Sequence, residues 1–205
     1  MPRPTDNENR EQMEVRIMEA AKPIFCKKGF TNVTMTDLIT AANMSRGGFY
    51  FYFKSVREVF QAVVTRRRIS KFEEIRKSID GNPDFYELLD SYFAQQKERL
   101  LNMETSLLRA LYEFLFTHRE ESDQQFRKEQ QNNILDTVNA ILQLGVRQNV
   151  IPNNNIGQIA EHLMYTIEGL NAMALLQGLT EDTVDEQLAL LKQMVINIEG
   201  NGTNE

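Results

Sequence analysis

The chain has 205 residues, of which 41% are hydrophobic and 25% are charged, and its formal net charge at pH 7 is −6. The apolar fraction is sufficient for a hydrophobic core, but no apolar run reaches the roughly 18 residues of a membrane-spanning helix. The first residues are too polar for the core of a signal peptide, and the single cysteine, Cys26, excludes an internal disulfide. We therefore expect a cytoplasmic protein without a membrane partner.

The charge is divided unevenly along the sequence. Residues 1–80 hold 15 Lys and Arg against 10 Asp and Glu, a balance of +5, whereas residues 81–205 hold 8 against 19, a balance of −11. A basic segment is typical of nucleic-acid binding, and an acidic segment avoids DNA. Chance clustering of charges on solvated faces is the alternative explanation.

Helical spacing of apolar residues dominates the sequence and alternating strand patterns are scarce, so we predict an all-α fold. The first helix should run from about Glu11 to Lys28 and stop at Gly29. A second, short helix should begin at Thr34, which forms a capping box with Asp37 three residues later. A third should begin at Ser45, because serine favours the N-cap position.

The later helices are bounded by turn signals. Ser55 and Glu58 form a second capping box at the start of helix four, which should end near Ser78. The break Gly81-Asn82-Pro83 follows, with Pro83 near the first position of helix five. Further helices are predicted over about Pro83–Leu100, Thr105–Thr117, Ser122–Asn149, Ile156–Leu176 and Glu181–Ile198.

Residues 34–60 contain, in succession, a short helix, a tight turn, a second short helix and a run of aromatic residues with a basic edge. This layout suits a helix-turn-helix, whose second helix enters the DNA major groove. Arg46 is the one long donor on that helix, and a two-pronged Arg contact to guanine is the commonest specific contact to a base. Gly47 and Gly48 each cost about 1 kcal/mol relative to Ala inside a helix. Close approach of the backbone to a ligand surface would explain them, and a loose turn is the alternative.

The run from Ala42 to Ser55, ANMSRGGFYFYFKS, resembles the DNA-binding signature of the TetR family of bacterial repressors. That signature has a similar alanine–turn–serine–basic–glycine run, followed by an apolar residue, Tyr, two aromatics, Phe, Lys and Ser. The segment AAKPIFCKKGF also resembles the family's opening helix, and the close match covers about residues 13–64. The resemblance implies a three-helix DNA-binding domain over residues 1–54, and a helical effector-binding and dimerisation domain over residues 55–205.

The resemblance also implies a role for individual positions. Helix two would meet phosphates at its start, the start of helix three would face the groove, and Phe49 and Phe53 would be core. Hydroxyls and free N–H groups at helix starts independently suit phosphate oxygens, and an aromatic face can cover a thymine methyl group or a sugar. The residues assigned to DNA binding are Thr34, Thr36, Ser45, Arg46, Gly47, Gly48, Tyr50, Phe51, Tyr52 and Lys54.

The chain departs from the family pattern at three positions. Asn43 replaces the usual turn glycine, which the turn can tolerate because Asn adopts left-handed backbone more readily than most residues. Gly48 stands where many members carry Thr. Val56 stands where many carry a phosphate-binding Lys, and the sequence leaves open whether the neighbouring Arg57 replaces that contact.

Residues 85–126 are rich in aromatic side chains. Tyr112, Phe114 and Phe116 follow at steps of two residues, or about 200° around a helix. Their helix should therefore be buried on nearly all sides or line a cavity, although a bundle core is the simpler explanation for any one residue. Because the resemblance implies a small-molecule pocket here, we expect effector contacts from Tyr92, Met103, Tyr112, Phe116 and Glu168, with Glu113 and His118 as further polar candidates.

The last two helices carry apolar stripes that could pair with a second copy as a four-helix interface, or pack only within their own domain. In proteins that resemble TetR these helices form the dimer. We therefore assign dimerisation to Ile159, Leu163, Ile167, Leu170, Met173, Leu188, Leu191 and Val195.

The sequence contains no metal-ligand spacing, phosphate loop or nucleophile motif, so we predict no catalytic residue, no metal and no cofactor. It favours a ligand-responsive transcriptional repressor. Such a protein would bind a near-palindromic double-stranded DNA operator as a homodimer and be released by a small apolar or amphipathic effector. The alternative is a helical small-molecule-binding protein, or an enzyme, in which the helix-turn-helix is only structural. Arg46 and the division of charge argue against that alternative.

Overall fold

The computed structural model describes residues 6–197, and within that range the chain is helical and contains no strand. The predicted all-α fold is thereby confirmed. The helices are α1 Asp6–Lys28, α2 Met35–Ala41, α3 Arg46–Tyr52, α4 Val56–Asp80, α5 Phe85–Leu101, α6 Leu107–Thr117, α7 Glu121–Arg147, α8 Ile156–Gln177 and α9 Glu181–Ile196, with a 3-10 turn over Met103–Thr105 before α6. The predicted end of the last helix at Ile198 lies outside the described residues.

Most helix boundaries follow the local signals, with three differences. α1 begins at Asp6, before the predicted start at about Glu11. Asp84, and not Pro83, begins α5, because its carboxylate accepts hydrogen bonds from the backbone of Tyr86 at 2.8 Å and Glu87 at 3.0 Å. At the start of α4 the backbone N–H of Glu58 donates to Ser55 as predicted, but the Glu58 carboxylate accepts from Lys54. One half of the second capping box is therefore present, and the return bond reaches Lys54, one residue before the predicted Ser55.

The chain divides into two compact units. Unit 1 contains the residues up to Ile69 together with Glu104–Phe126, and unit 2 contains Ser70–Met103 together with the residues from Arg127 onwards. The boundary that we predicted between residues 54 and 55 therefore falls inside unit 1. Both α4 and α7 contribute residues to each unit.

The interior of unit 1 is an aromatic cluster. The Phe60 ring lies 4.9 Å from that of Phe25, 5.0 Å from that of Phe30 and 5.3 Å from that of Phe114, measured between centroids. All four side chains are buried. Because they come from α1, the loop after it, α4 and α6, this cluster joins three helices and a loop within the unit. Aromatic pairs at such distances add about 0.5–1.5 kcal/mol beyond their burial.

In unit 2, α5 packs against α8 and α9. The side chain of Gln148 fixes the start of α5, since it accepts from the Phe85 backbone at 3.0 Å and donates to the Pro83 carbonyl at 2.7 Å. Gly145 lies against the Phe85 ring, where an added Cβ would come within 2.8 Å of two ring carbons. The absence of a side chain at Gly145 is therefore a packing requirement.

The stripes assigned to dimerisation are mostly interior. Six of the eight side chains are buried within unit 2, namely Leu163, Ile167, Leu170, Leu188, Leu191 and Val195. Apolar spacing identifies a buried face but does not tell whether the cover is the same chain or a second copy, and here the cover is the same chain. Ile159 is half-buried and Met173 is exposed.

The exposed apolar side chains of α8 and α9 lie elsewhere. Tyr165 and Leu176 project from the face of α8 opposite its buried stripe, and Leu190 is exposed on α9. Leu176 has 80% of its surface accessible, an unusual value for a leucine in a helix. An apolar surface of this kind marks an interaction site when its members are contiguous.

Replacing Gly145 by Ala should lower the free energy of unfolding by about 1–3 kcal/mol, because the core must move to admit the methyl group. Urea denaturation followed by circular dichroism measures the change. Gly157→Ala is the matched control, because an added Cβ there meets nothing within 4 Å. Equal stability of Gly145→Ala and the unmodified protein would show that the Phe85 ring can move aside without a loss of folding free energy.

Candidate nucleic-acid interface

The segment from α2 to α3 forms a helix-turn-helix within unit 1. Thr34 and Asp37 make the predicted capping box at the start of α2, and Lys28 donates to the Asp37 carboxylate at 2.6 Å. The hydrogen bonds from Lys28 and from Thr34 lower the pKa of Asp37 to about 2, so this cap stays ionised at neutral pH. The turn contains Asn43 with a φ of 51°, as expected for a residue that replaces glycine.

α3 is anchored by the residues at its two ends. The Ser45 hydroxyl accepts a hydrogen bond from the Gly48 backbone at 3.1 Å, which leaves its own proton free to donate outwards. Phe49 and Phe53 are buried in unit 1, which confirms their predicted place in the core. The helix is thus held from one side while the other faces solvent.

None of the ten residues assigned to DNA binding is buried. Seven are exposed, namely Thr34, Thr36, Ser45, Arg46, Gly47, Phe51 and Lys54, and Gly48, Tyr50 and Tyr52 are half-buried. The Arg46 guanidinium lies 5.6 Å from the centre of the Tyr50 ring, and no carboxylate among the described residues pairs with it. Its donors are therefore available to an outside acceptor.

Gly47 has no structural reason to be glycine. A Cβ added there would meet nothing within 4 Å, and Gly47 does not have the positive φ that favours glycine. At Gly48 an added Cβ would lie 3.1 Å from the Ser45 hydroxyl oxygen, a tight but local contact. The backbone at the start of α3 is therefore open at Gly47 to a surface that approaches from outside.

The structure adds Arg10 to this region, a residue that the sequence did not indicate, because it packs on the ring of Phe51. That ring has 62% of its surface exposed, and the guanidinium of Arg10 on α1 lies 5.6 Å from the ring centre. Arg10 also forms an ion pair with Glu14 at 3.0 Å. The two residues are 41 positions apart, so no local spacing could have revealed the contact.

Arg57 does not take the place of the phosphate contact missing at Val56. Its guanidinium pairs with the buried Asp123 carboxylate at 2.5 Å and lies 3.7 Å from Glu120. A guanidinium held by a buried carboxylate is costly to remove from it, since the carboxylate would remain in the interior without compensation. Arg57 therefore stabilises unit 1, and its charge is offset within the protein.

Glu113 on α6 holds the loop that leads into the helix-turn-helix. Its carboxylate accepts from the Phe30 backbone at 2.7 Å, from the Thr31 backbone at 3.1 Å and from the Thr31 hydroxyl at 3.1 Å. Arg109 lies 3.4 Å from the same carboxylate. The loop begins at Gly29, whose φ is 75° and where an added Cβ would lie 2.3 Å from both Glu113 oxygens. Glu113 was a candidate for the effector pocket, but its carboxylate is occupied here.

The five residues assigned to effector binding are divided between the units. Tyr92 and Met103 are buried and Glu168 is half-buried, all in unit 2. Tyr112 and Phe116 belong to unit 1, where Tyr112 is half-buried and Phe116 is 62% exposed. α6 is therefore not buried on nearly all sides. The other polar candidate, His118, stacks on Phe114 in the core of unit 1 at 4.4 Å.

Two further properties of residues 6–197 bear on function. No three His, Cys, Asp or Glu side chains among them are grouped so that they could hold a metal ion. None of their helices combines the length and the hydropathy required to cross a membrane.

The sequence matches two family descriptions in succession. Residues 17–63 match "Bacterial regulatory proteins, tetR family", and residues 88–185 match "Tetracyclin repressor-like, C-terminal domain". The first match contains the whole helix-turn-helix with its anchoring phenylalanines. The second covers most of α5, all of α6 to α8 and the first residues of α9.

Relatives and solved structures agree with these matches. The chain is 27% identical over 170 residues to YfiR of Bacillus subtilis, an HTH-type transcriptional regulator, with 82% of each chain covered. It is 26% identical over 174 residues to the HTH-type transcriptional regulator TtgR of Pseudomonas putida, with 80% of each covered. BepR of Brucella suis, an HTH-type transcriptional repressor, is 32% identical over 57 residues, 28% of this chain and 27% of BepR. The crystal structure of reduced E. coli NemR shares the fold, with a TM-score of 0.71, 17% identity and coverage of 92% of this chain and 100% of NemR.

Replacing Gly47 by Ala should raise the free energy of unfolding by about 0.5–1 kcal/mol, because alanine orders the first turn of α3 at a lower entropic cost. The same change should weaken binding to an operator selected from random DNA, because the methyl group would meet the approaching backbone. Denaturation and mobility-shift titration measure the two effects. Gly157→Ala is also at the second position of a helix and should change stability alone. Weaker DNA binding by both variants, or by neither, would contradict a close approach of DNA to the backbone at Gly47.

Proposed function

The chain belongs to the TetR family of bacterial regulatory proteins and is a transcriptional regulator, and from this premise we propose that it is a ligand-responsive repressor. It binds a near-palindromic operator as a homodimer, and a small apolar or amphipathic effector releases it. The description of BepR as a repressor supports the direction of control. The observation that carries the DNA-binding part is the exposed face of α3, where Arg46 is available and Gly47 leaves the backbone open.

The residues of α3 divide into two kinds of contact. Arg46 reads base edges, because its donor fork matches the two acceptors of guanine in the major groove. Ser45, Thr36 and Lys54 contact phosphates, which position the protein but carry no sequence information. Phe51 covers a sugar or a thymine methyl group, and the guanidinium of Arg10, which is paired with Glu14, packs on its ring.

We place the dimer interface on the outward face of α8 and on α9, and no longer on the stripes that unit 2 buries. Tyr165, Met173, Leu176 and Leu190 are exposed there, and Gly169 leaves room for close packing because an added Cβ meets nothing within 4 Å. A two-fold pair of such helix hairpins covers the same patch on both copies. The two half-sites of the operator then lie roughly 34–36 Å apart, or at a multiple of that distance.

Release by an effector requires that the effector bind more tightly to the conformation that fits DNA poorly. Coupling of about 1–3 kcal/mol is typical of such control, and operator DNA weakens effector binding by the same factor. The alternative function, a small-molecule-binding protein or an enzyme with a structural helix-turn-helix, predicts no sequence-specific DNA binding. The family membership argues against it.

Replacing Arg46 by Ala should cost about 1–3 kcal/mol of operator binding and relax discrimination at one base pair, because the two-pronged contact is lost. Lys54→Ala should weaken binding to all DNA sequences by a similar factor and reduce the dependence of binding on salt concentration. Arg76→Ala in unit 2 removes the same charge as Arg46→Ala outside the interface and controls for net charge. Mobility shifts on the operator and on random DNA measure these changes, and equal losses on both for Arg46→Ala would refute base recognition.

Replacing Leu176 by Glu should shift the protein towards monomers, because two carboxylates would then enter a symmetric apolar interface. Ile69→Glu makes the same change at an exposed apolar residue of α4 and should leave the assembly intact. Light scattering after size-exclusion chromatography measures the mass. A monomeric unmodified protein at micromolar concentration, or dissociation of both variants, would rule out this interface.

A further inference from the structure

We propose that unit 2 recognises an uncharged amphiphile that carries at least one O–H or N–H donor, through the buried amides of Gln96 and Asn171. The identification of this molecule as the effector rests on the proposed function, but the recognition itself does not. The body of the molecule lies among the apolar side chains of α5 and α8, and its donor reaches the two amide oxygens.

The two amides are the buried polar side chains of packed helices. Gln96 on α5 is 7% exposed and Asn171 on α8 is 0% exposed, and α5 packs against α8 within unit 2. Among the described residues, no protein group donates to Gln96 Oε1 or to Asn171 Oδ1. Nearly all buried polar atoms in native proteins have a partner, so two such acceptors on packed helices require an explanation.

The orientation of the Asn171 amide is set by chemistry. Its Nδ2 donates to the Glu168 carboxylate at 3.3 Å. A reversed amide would place Oδ1 against a carboxylate oxygen, with two acceptors facing each other. The atom that lacks a protein partner is therefore an acceptor, and only a donor can satisfy it.

One positive and one negative side chain act on the phenol of Tyr92, which lies on the same helix as Gln96. Tyr92, Gln96 and Arg99 follow at the i, i+4, i+7 spacing of one face of α5. Tyr92 is buried, and burial raises its pKa to about 12, so its phenol is neutral. The charge of Arg99 lowers this pKa and the charge of Glu168 raises it, which places both groups near the phenol.

The balance of charge selects a neutral ligand. Arg99 and Glu168 carry opposite charges, so together they add no net charge near the phenol, and an ionised head group would have to leave water without a counter-charge of its own. A carboxylate would also meet two oxygen acceptors. A hydroxyl or a neutral amide supplies the missing donor without a charge. The buried apolar residues of the same two helices include Leu89, Phe93, Leu163, Met164 and Ile167.

Calorimetric titration of the full-length protein with four probes of equal chain length tests this specificity. 1-Octanol carries the donor, methyl octyl ether lacks it, and octanoate and octylammonium are charged. Octanol should bind about tenfold more tightly than the ether, the worth of one hydrogen bond to a buried acceptor, and more tightly than either ion. Equal affinities of the alcohol and the ether, a preference for either ion, or no binding of octanol up to its solubility limit would overturn the proposal.

Shape-conserving variants connect the preference to the two amides. Asn171→Leu and Gln96→Met should each reduce the preference for octanol over the ether at least threefold. Gln95→Met, a change of the same kind at the exposed neighbour of Gln96, should leave it unchanged. A preference that survives both buried substitutions would show that another group holds the donor.

Thermal denaturation without probe gives a second readout. Asn171→Leu and Gln96→Met should raise Tm, because each removes a buried acceptor that no protein donor satisfies and keeps the side-chain volume. A lower Tm for both would mean that the amide oxygens serve stability, and the proposal would fail. Operator binding by the unmodified protein, measured beside the titrations, separates the outcomes: retained operator binding without probe discrimination defeats this inference alone, whereas absence of operator binding defeats the proposed function.

Discussion

The carboxylate of Glu113 is the interaction on which the geometry of the DNA-binding unit depends. It satisfies two backbone N–H groups directly after α1 and lies against Gly29, where that helix ends. Any side chain at Gly29 would overlap the carboxylate as well as being strained by the positive φ. Once the loop is fixed, Phe30 enters the aromatic cluster and Thr34 begins α2 a few residues later. α6 thus sets the direction from which the helix-turn-helix starts, and the unit cannot be understood as residues 1–54 alone.

The cationic side chains of unit 1 serve two different purposes. Lys28 and Arg57 are held by carboxylates of the same unit, Asp37 and Asp123, and so they contribute to folding. The Arg46 guanidinium faces the Tyr50 ring and solvent, so its N–H donors are available to an acceptor outside the protein. Asp37 is already counted in the balance of +5 for residues 1–80, but Asp123 is not, so its pairing with Arg57 leaves less positive charge for DNA than that balance indicates. The position of each cation matters more to recognition than the total.

Local signals predicted the parts of the structure that local interactions determine. The stop at Gly29, the caps at Thr34 and Ser45, and the left-handed Asn43 all follow from the preferences of a few neighbouring residues. Contacts between distant residues were not accessible in this way, as the loop-to-Glu113 bonds and the Arg10–Phe51 pair illustrate. The stripes of α8 and α9 show a third limit. Periodicity identified the buried face correctly, but it does not identify what covers that face, and it gives no weight to an isolated exposed leucine such as Leu176.

The discontinuity of unit 1 along the chain has a consequence for its synthesis. Phe30 and Glu113, which bond directly, are separated by 83 residues. At ribosomal rates of about 5–20 residues per second, roughly 4–17 s pass between the emergence of the first partner and that of the second. During this interval the helix-turn-helix has left the ribosome without the residues that complete its core, including Phe114 and Phe126. The nascent protein therefore acquires its DNA-reading surface late, together with α6, although that surface is encoded near the beginning of the chain.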